Sequence, residues 1–189
     1  MIARRASFLK NQKDLDASDL IFIDESGCHP GIGPLKGWSP RGVPLFGPEQ
    51  VYARKQHISI IGAVSCTGTI ARATVRGGVG SREFTRFIEK KLTPLLRPGQ
   101  IVFMDNLNAH KSSRVRHLIE SAGATVQFLP PYSPDLNPIE AAWSKMKHFI
   151  RKTVPTTITQ LRNAIYHSWS LIQMSDLQGW YRYCGYQLK

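Results

Sequence analysis

The chain carries 189 residues, 42% of them hydrophobic and 20% charged, proportions that fit one globular domain with a substantial core. Its 25 Lys and Arg outweigh 13 Asp and Glu, for a formal charge of +12, which draws polyanions and nucleic acid above all; a basic structural binder of the ribosomal kind fits that charge too. With no apolar run of about 18 residues, no signal-peptide stretch, and three cysteines lacking C-x-x-C spacing, a membrane span, a disulfide framework and a zinc knuckle are disfavoured, and a reducing cytoplasm is expected.

Residues 1–19 read as an N-terminal linker in which Ile2, Ala6, Phe8 and Leu9 can share a short helix. Residues 20–24 are apolar at every position before Asp24, the pattern of a central strand covered on both faces. Residues 27–50 are dense in Gly and Pro and predict a loop-rich insertion with room for a short hairpin. The β-rich runs 57–65 and 69–75, separated by Cys66-Thr67-Gly68, predict a hairpin. Phe84, Phe87, Ile88 and Leu92 recur at helical spacing, with Pro94 weakening that helix and Pro98-Gly99 ending it.

Residues 101–104 form a second all-apolar strand ending at Asp105. Val115, Leu118, Ile119 and Ala122 mark a helix that Gly123 caps, and 125–129 is a fifth strand. After the rigid turn PPYSPDLNP, Asn137 is placed to cap a helix opened by Pro138, with Ile139, Trp143, Met146 and Ile150 as its buried stripe. A last helix is expected over 157–173, with Ile158, Leu161, Ile165 and Ile172 inward, followed by an aromatic tail at 176–189.

This order, β-β-β-α-β-α-β-α and one more helix, predicts an α/β ribonuclease H-like fold over 20–175: a five-stranded mixed sheet with flanking helices. In that topology the first and fourth strands lie side by side, so Asp24 and Asp105 reach adjacent strand ends, where such folds place ligands. Two carboxylates there, with Glu140 on a helix entering beside them, repel one another unless protons or cations offset them. Oxygen donors of this kind select Mg²⁺ or Mn²⁺, and a pair of such ions suits phosphodiester chemistry. Simpler roles remain open: Asp24 and Asp105 as strand terminators, and Glu140 as the third residue of a capping box. Glu140, Ser144, Lys147 and Arg151 share one helix face, which suits either a nucleic-acid strand or plain solvation.

Three motifs together resemble the DDE transposases of the mariner-like superfamily, most closely the bacterial insertion-sequence branch. They are DES at Asp24, DNLNAH at Asp105 and PYSPDLNPIEAAW around Glu140, with 34 residues between the second and third acids. The resemblance covers roughly residues 18–170. It implies a metal-dependent DNA endonuclease that cleaves transposon ends and transfers their 3′-hydroxyls to target DNA. Two Mg²⁺ or Mn²⁺ ions would be held by Asp24, Asp105 and Glu140. Asn106 and His110 match the family motif and are expected to orient Asp105 or touch phosphate, while Lys111, Lys147 and Arg151 are candidate DNA contacts. Glu25 and Asp135 fall outside the triad, and Trp38 and Trp143 are expected to pack around the site.

Family members usually carry helix-turn-helix modules ahead of this domain, and there is no room for them before Asp24. The expected partners are therefore DNA, a helix-turn-helix polypeptide encoded upstream in the same element, and a second copy when two ends are paired. The expected location is the nucleoid. The competing readings are a catalytically silent DNA-binding remnant of a truncated transposase and a cellular ribonuclease H-like nuclease.

Overall fold

The computed structural model describes residues 2–34, 36–46, 56–106 and 112–188. Its centre is a five-stranded sheet in the order β3-β2-β1-β4-β5, formed by β1 (Leu20–Cys28), β2 (Ile58–Ser65), β3 (Gly68–Arg76), β4 (Ile101–Met104) and β5 (Thr125–Phe128). β1 pairs antiparallel with β2 and parallel with β4. The first and fourth strands thus lie side by side, and the sheet is mixed, as the element order predicts.

The all-apolar run in β1 has a direct cause. Side chains alternate across a sheet, and both faces are covered. Leu20 and Phe22 enter one core with Phe103, Trp143 and Trp169. Ile21 and Ile23 enter a second core with Ile61, Phe84, Val102 and Met104. The helices α4 (Pro138–Thr153), α5 (Ile158–Ser170) and α6 (Met174–Tyr183) cover the first face. On the second lie α2 (Ser81–Phe87) and α3 (Ser113–Ser121). After Phe87 the chain widens into a π-helical segment, Ile88–Leu92, and a 3-10 turn, Thr93–Leu95. Pro94 has no N–H to continue the helix, and Thr93 Oγ1 bonds the Ile88 carbonyl at 2.7 Å. Gly123 follows α3 at φ +81°, the left-handed conformation of a helix C-terminus.

The sequence underestimates the two ends. Within 1–19 lies the helix α1 (Ile2–Gln12), whose Phe8 ring meets Phe103 edge-on at 5.8 Å. The buried Gln12 donates from Nε2 to the Cys184 carbonyl at 2.7 Å. Residues 176–189, read as a tail, include most of α6 and two tyrosines at 0% and 1% exposure, Tyr181 and Tyr186. Tyr186 donates to the Leu136 carbonyl at 2.7 Å, tying this end to the turn before α4.

Residues 29–34 and 36–46 hold no helix or strand. Trp38 sits there at 99% exposure, so the expectation that it packs around the site is wrong. Glycines and prolines on either side keep the segment irregular, and among the described residues none covers the ring. Among the described residues no helix is long and apolar enough to cross a membrane.

Candidate active site

Strand alternation carries two of the three acids to the same face. Asp24 follows Leu20 and Phe22 on the α4 side of β1, and Asp105 follows Phe103 on the same side, just beyond β4. The β1–β4 ladder ends at the Phe22–Phe103 pair, whose rings stack at 5.1 Å. The strands end their pairing directly below the carboxylates. Glu140 arrives from the first turn of α4, where the helix dipole favours an acid. All three line one pocket of about 420 Å³, with Asn106, Asn137 and the segment 129–134 as its other walls. A second groove, of about 450 Å³, again borders Asp24, Asp105 and Glu140 and adds Glu25, Trp143 and Lys147.

The partly buried Asp24 accepts a hydrogen bond from the Trp143 indole N–H at 2.9 Å on Oδ2. Its pKa is pushed up to about 7, first by burial. Hydrogen bonds from the Glu25 backbone and from Trp143 oppose that rise, while the negative charges of Glu140 and Glu25 add to it. A carboxyl that finds other acids close by holds its proton until a cation offsets the charge.

Asn137 occupies the residue before α4, but it does not cap the helix as expected, because no side-chain cap bond forms there. Its residue is 5% exposed, and its Oδ1 is buried without a hydrogen-bond partner at the pocket wall. The amide side chain lines the pocket instead. Glu140 does not cap either: it is exposed, and no capping box closes the start of α4.

Asn106, next to Asp105, lines the pocket; His110 and Lys111 lie outside the described residues. Lys147 borders the second groove. Arg151, one turn further along α4, is only partly exposed, with its Nε buried and unpartnered. Both cations lie near the buried Cys28, where they counter the upward push that burial gives its thiol. Asp135 pairs with Arg5 at 2.5 Å and does not line the pocket. Trp143 is in the core as expected, at 3% exposure. Its indole bond to Asp24 was not legible, since an apolar stripe says nothing of where a ring N–H points.

Among the described residues, no three His, Cys, Asp or Glu side chains are gathered closely enough to hold an ion as they stand. The three acids instead wall a common space. The donor set still fits a hard divalent cation. It is all oxygen, and the orphaned Oδ1 of Asn137 is an acceptor whose missing donor a hydrated cation would supply.

The fold and this pocket define an acid-lined nuclease-type site on a ribonuclease H-like sheet. Residues 19–162 match the family described as DDE superfamily endonuclease, and the chain belongs to that family. No curated protein sequence matches. Among solved structures, the Mos1 transposase paired-end complex with left transposon end superposes with a TM-score of 0.77 at 15% identity, covering 94% of this chain and 56% of that one. The Mos1 mariner paired end complex with Mn gives 0.77 at 15% identity over 95% and 56%. The catalytic domain of Mos1 mariner transposase alone gives 0.66 at 13% identity over 95% and 87%. This chain thus spans just over half the length of the transposase chains in the paired-end complexes.

Proposed function

We propose that this chain is the catalytic domain of an insertion-sequence transposase, cutting DNA at transposon ends and joining those ends to target DNA with two Mg²⁺ or Mn²⁺ ions. The observation that carries this reading is the convergence of Asp24, Asp105 and Glu140 on one pocket from three separate elements. Family membership supports it, as do solved Mos1 structures that contain Mn, Mg or a transposon end.

Asp24, Asp105 and Glu140 would hold the ions through carboxylate oxygens. Bound there, the ions would acidify the attacking water or hydroxyl and stabilise the leaving oxygen. The chain's own residues do the rest. Asp24 gives up its proton when the site is loaded, and Trp143 holds that carboxylate through Oδ2. Asn106 and His110 orient Asp105 or touch phosphate. Lys147 offsets backbone charge in the second groove, with Arg151 and Lys111 as further contacts. In the first step water attacks phosphorus, the P–O3′ bond breaks, and a 3′-hydroxyl is released. That hydroxyl then attacks a target phosphodiester and displaces its 3′-oxygen. The partners are DNA, a second copy when two ends are paired, and a helix-turn-helix polypeptide from the same element, all in the nucleoid.

The test pairs a linear duplex ending in the element's inverted repeat with a target plasmid in Mg²⁺ or Mn²⁺. End-joined product supports transposition. Preferential cleavage of RNA–DNA hybrids, with no joined product, would overturn it in favour of a cellular nuclease of the same fold.

A further inference from the structure

Gly62 of β2 stands directly opposite Asp24 in the β1–β2 ladder, on the same face of the sheet. A Cβ built on Gly62 would lie 2.5 Å from Trp169 Cη2 and 2.7 Å from Trp143 Cη2. Real Cβ atoms do not approach so closely, and neither indole has room to retreat: the residues are 4% and 3% exposed, and their rings pack at 5.5 Å. The missing side chain at Gly62 is therefore the space that the two indoles fill. In that space Trp143 Nε1 sits 2.9 Å from Asp24 Oδ2. Trp143 is also three residues after Glu140, nearly one turn along the same helix.

We propose that Gly62, Trp169 and Trp143 form a positioning device that fixes the Asp24 carboxylate and sets the spacing between Asp24 and Glu140. The inference rests on the reading of the acids as a cation site. Trp143 spans from the helix that carries one acid to the strand that carries another, so it gauges how far α4 stands from β1. Its chemistry suits the task. An indole N–H only donates and carries no charge. It immobilises one carboxylate oxygen without cancelling the negative charge that a cation needs, as an Arg or Lys in its place would. Trp169 braces the ring from α5, tilted 46° to it, and Gly62 lets the Cη2 edges of both rings come against the ladder beside Asp24. Trp143 is in this view a positioning residue, acting on the cation only through Asp24.

The test is titration of the full chain with Mn²⁺ alone, followed by electron paramagnetic resonance, beside a urea unfolding curve for each protein. Trp143→Phe removes the N–H but also leaves a gap. The sharper variant replaces Trp143 with 3-benzothienylalanine, which exchanges the ring N–H for sulfur at nearly constant shape. About tenfold weaker Mn²⁺ binding is expected in that variant, with an unchanged urea midpoint, and Gly62→Ala should weaken binding similarly by displacing the indole. Mn²⁺ binding within twofold of wild type in the benzothienyl variant would overturn the inference and leave the cation site intact. If the wild type binds no Mn²⁺, the cation site and this inference fall together.

Discussion

The Tyr181 hydroxyl lies 3.0 Å from the carbonyl of Leu20, a residue 161 positions earlier in the chain. It also reaches the Val64 carbonyl at 3.1 Å, so one buried hydroxyl ties α6 to both β1 and β2. Tyr181→Phe keeps the ring and leaves two buried carbonyls short of a donor, a loss of about 1–3 kcal/mol. Urea unfolding should show a lower midpoint at unchanged slope. An unchanged midpoint would mean that the hydroxyl does nothing to hold α6 on the sheet.

Burial raises the Asp24 pKa to about 7, against about 3.9 in the unfolded chain. Between those values the folded protein holds a proton that the unfolded one has released. The contribution of Asp24 to stability is therefore fully present below pH 4 and is lost as pH rises through about 7. Relative to Asp24→Asn, the metal-free wild type should lose roughly 2 kcal/mol across that window, after discounting for solvent at this half-buried residue. Mn²⁺ should restore stability at pH 8 and do little at pH 5, because the ligand must be deprotonated. Thermal melts of both proteins at several pH values check this, and a flat difference would sink it.

Lys147 borders the groove beside the acids and is one of the two cations that face Cys28. If it neutralises one phosphate, Lys147→Ala should weaken binding of any duplex alike and lower the slope of log K against log salt by about 1. Fluorescence anisotropy with two unrelated duplexes at several salt concentrations measures both effects. An unchanged slope would place Lys147 off the DNA path.

Trp38 is 99% exposed, so Trp38→Ala should change folding stability by less than about 0.5 kcal/mol. Acrylamide should quench its fluorescence readily while sparing Trp143 and Trp169. A destabilisation of several kcal/mol would show that the ring is covered after all.

What the sequence reveals follows from which interactions are local. The apolar runs ending at Asp24 and Asp105 were legible because a strand buried on both faces leaves no polar position. The topology then follows from element order and the right-handed crossover rule. Glu140 carried two readings, metal ligand or capping-box acid, and the open start of α4 removes the second. Less visible were features that depend on contacts between distant segments. Trp143 was legible in the buried stripe of α4, but nothing local shows that its N–H is held against Asp24 or that Trp38 is bare. The aromatic residues after α5 read as a tail because their partners, the Leu20, Val64 and Leu136 carbonyls, are far away in sequence. Asn137 matched a helix-cap rule, yet its amide faces the pocket. Gly62 was the overlooked signal, a glycine inside a strand buried along its whole length, which marks close approach by another group.

The central claim is that Asp24, Asp105 and Glu140 act as one metal-dependent site on DNA. Its most direct test is nicking of supercoiled plasmid by the purified chain in Mn²⁺, beside Asp24→Asn, Asp105→Ala and Glu140→Gln. The account predicts Mn²⁺-dependent nicking by wild type, abolished by EDTA, and a loss of at least 100-fold, or about 2.7 kcal/mol of barrier, in each variant. Nicking by Asp105→Ala at the wild-type rate would contradict it.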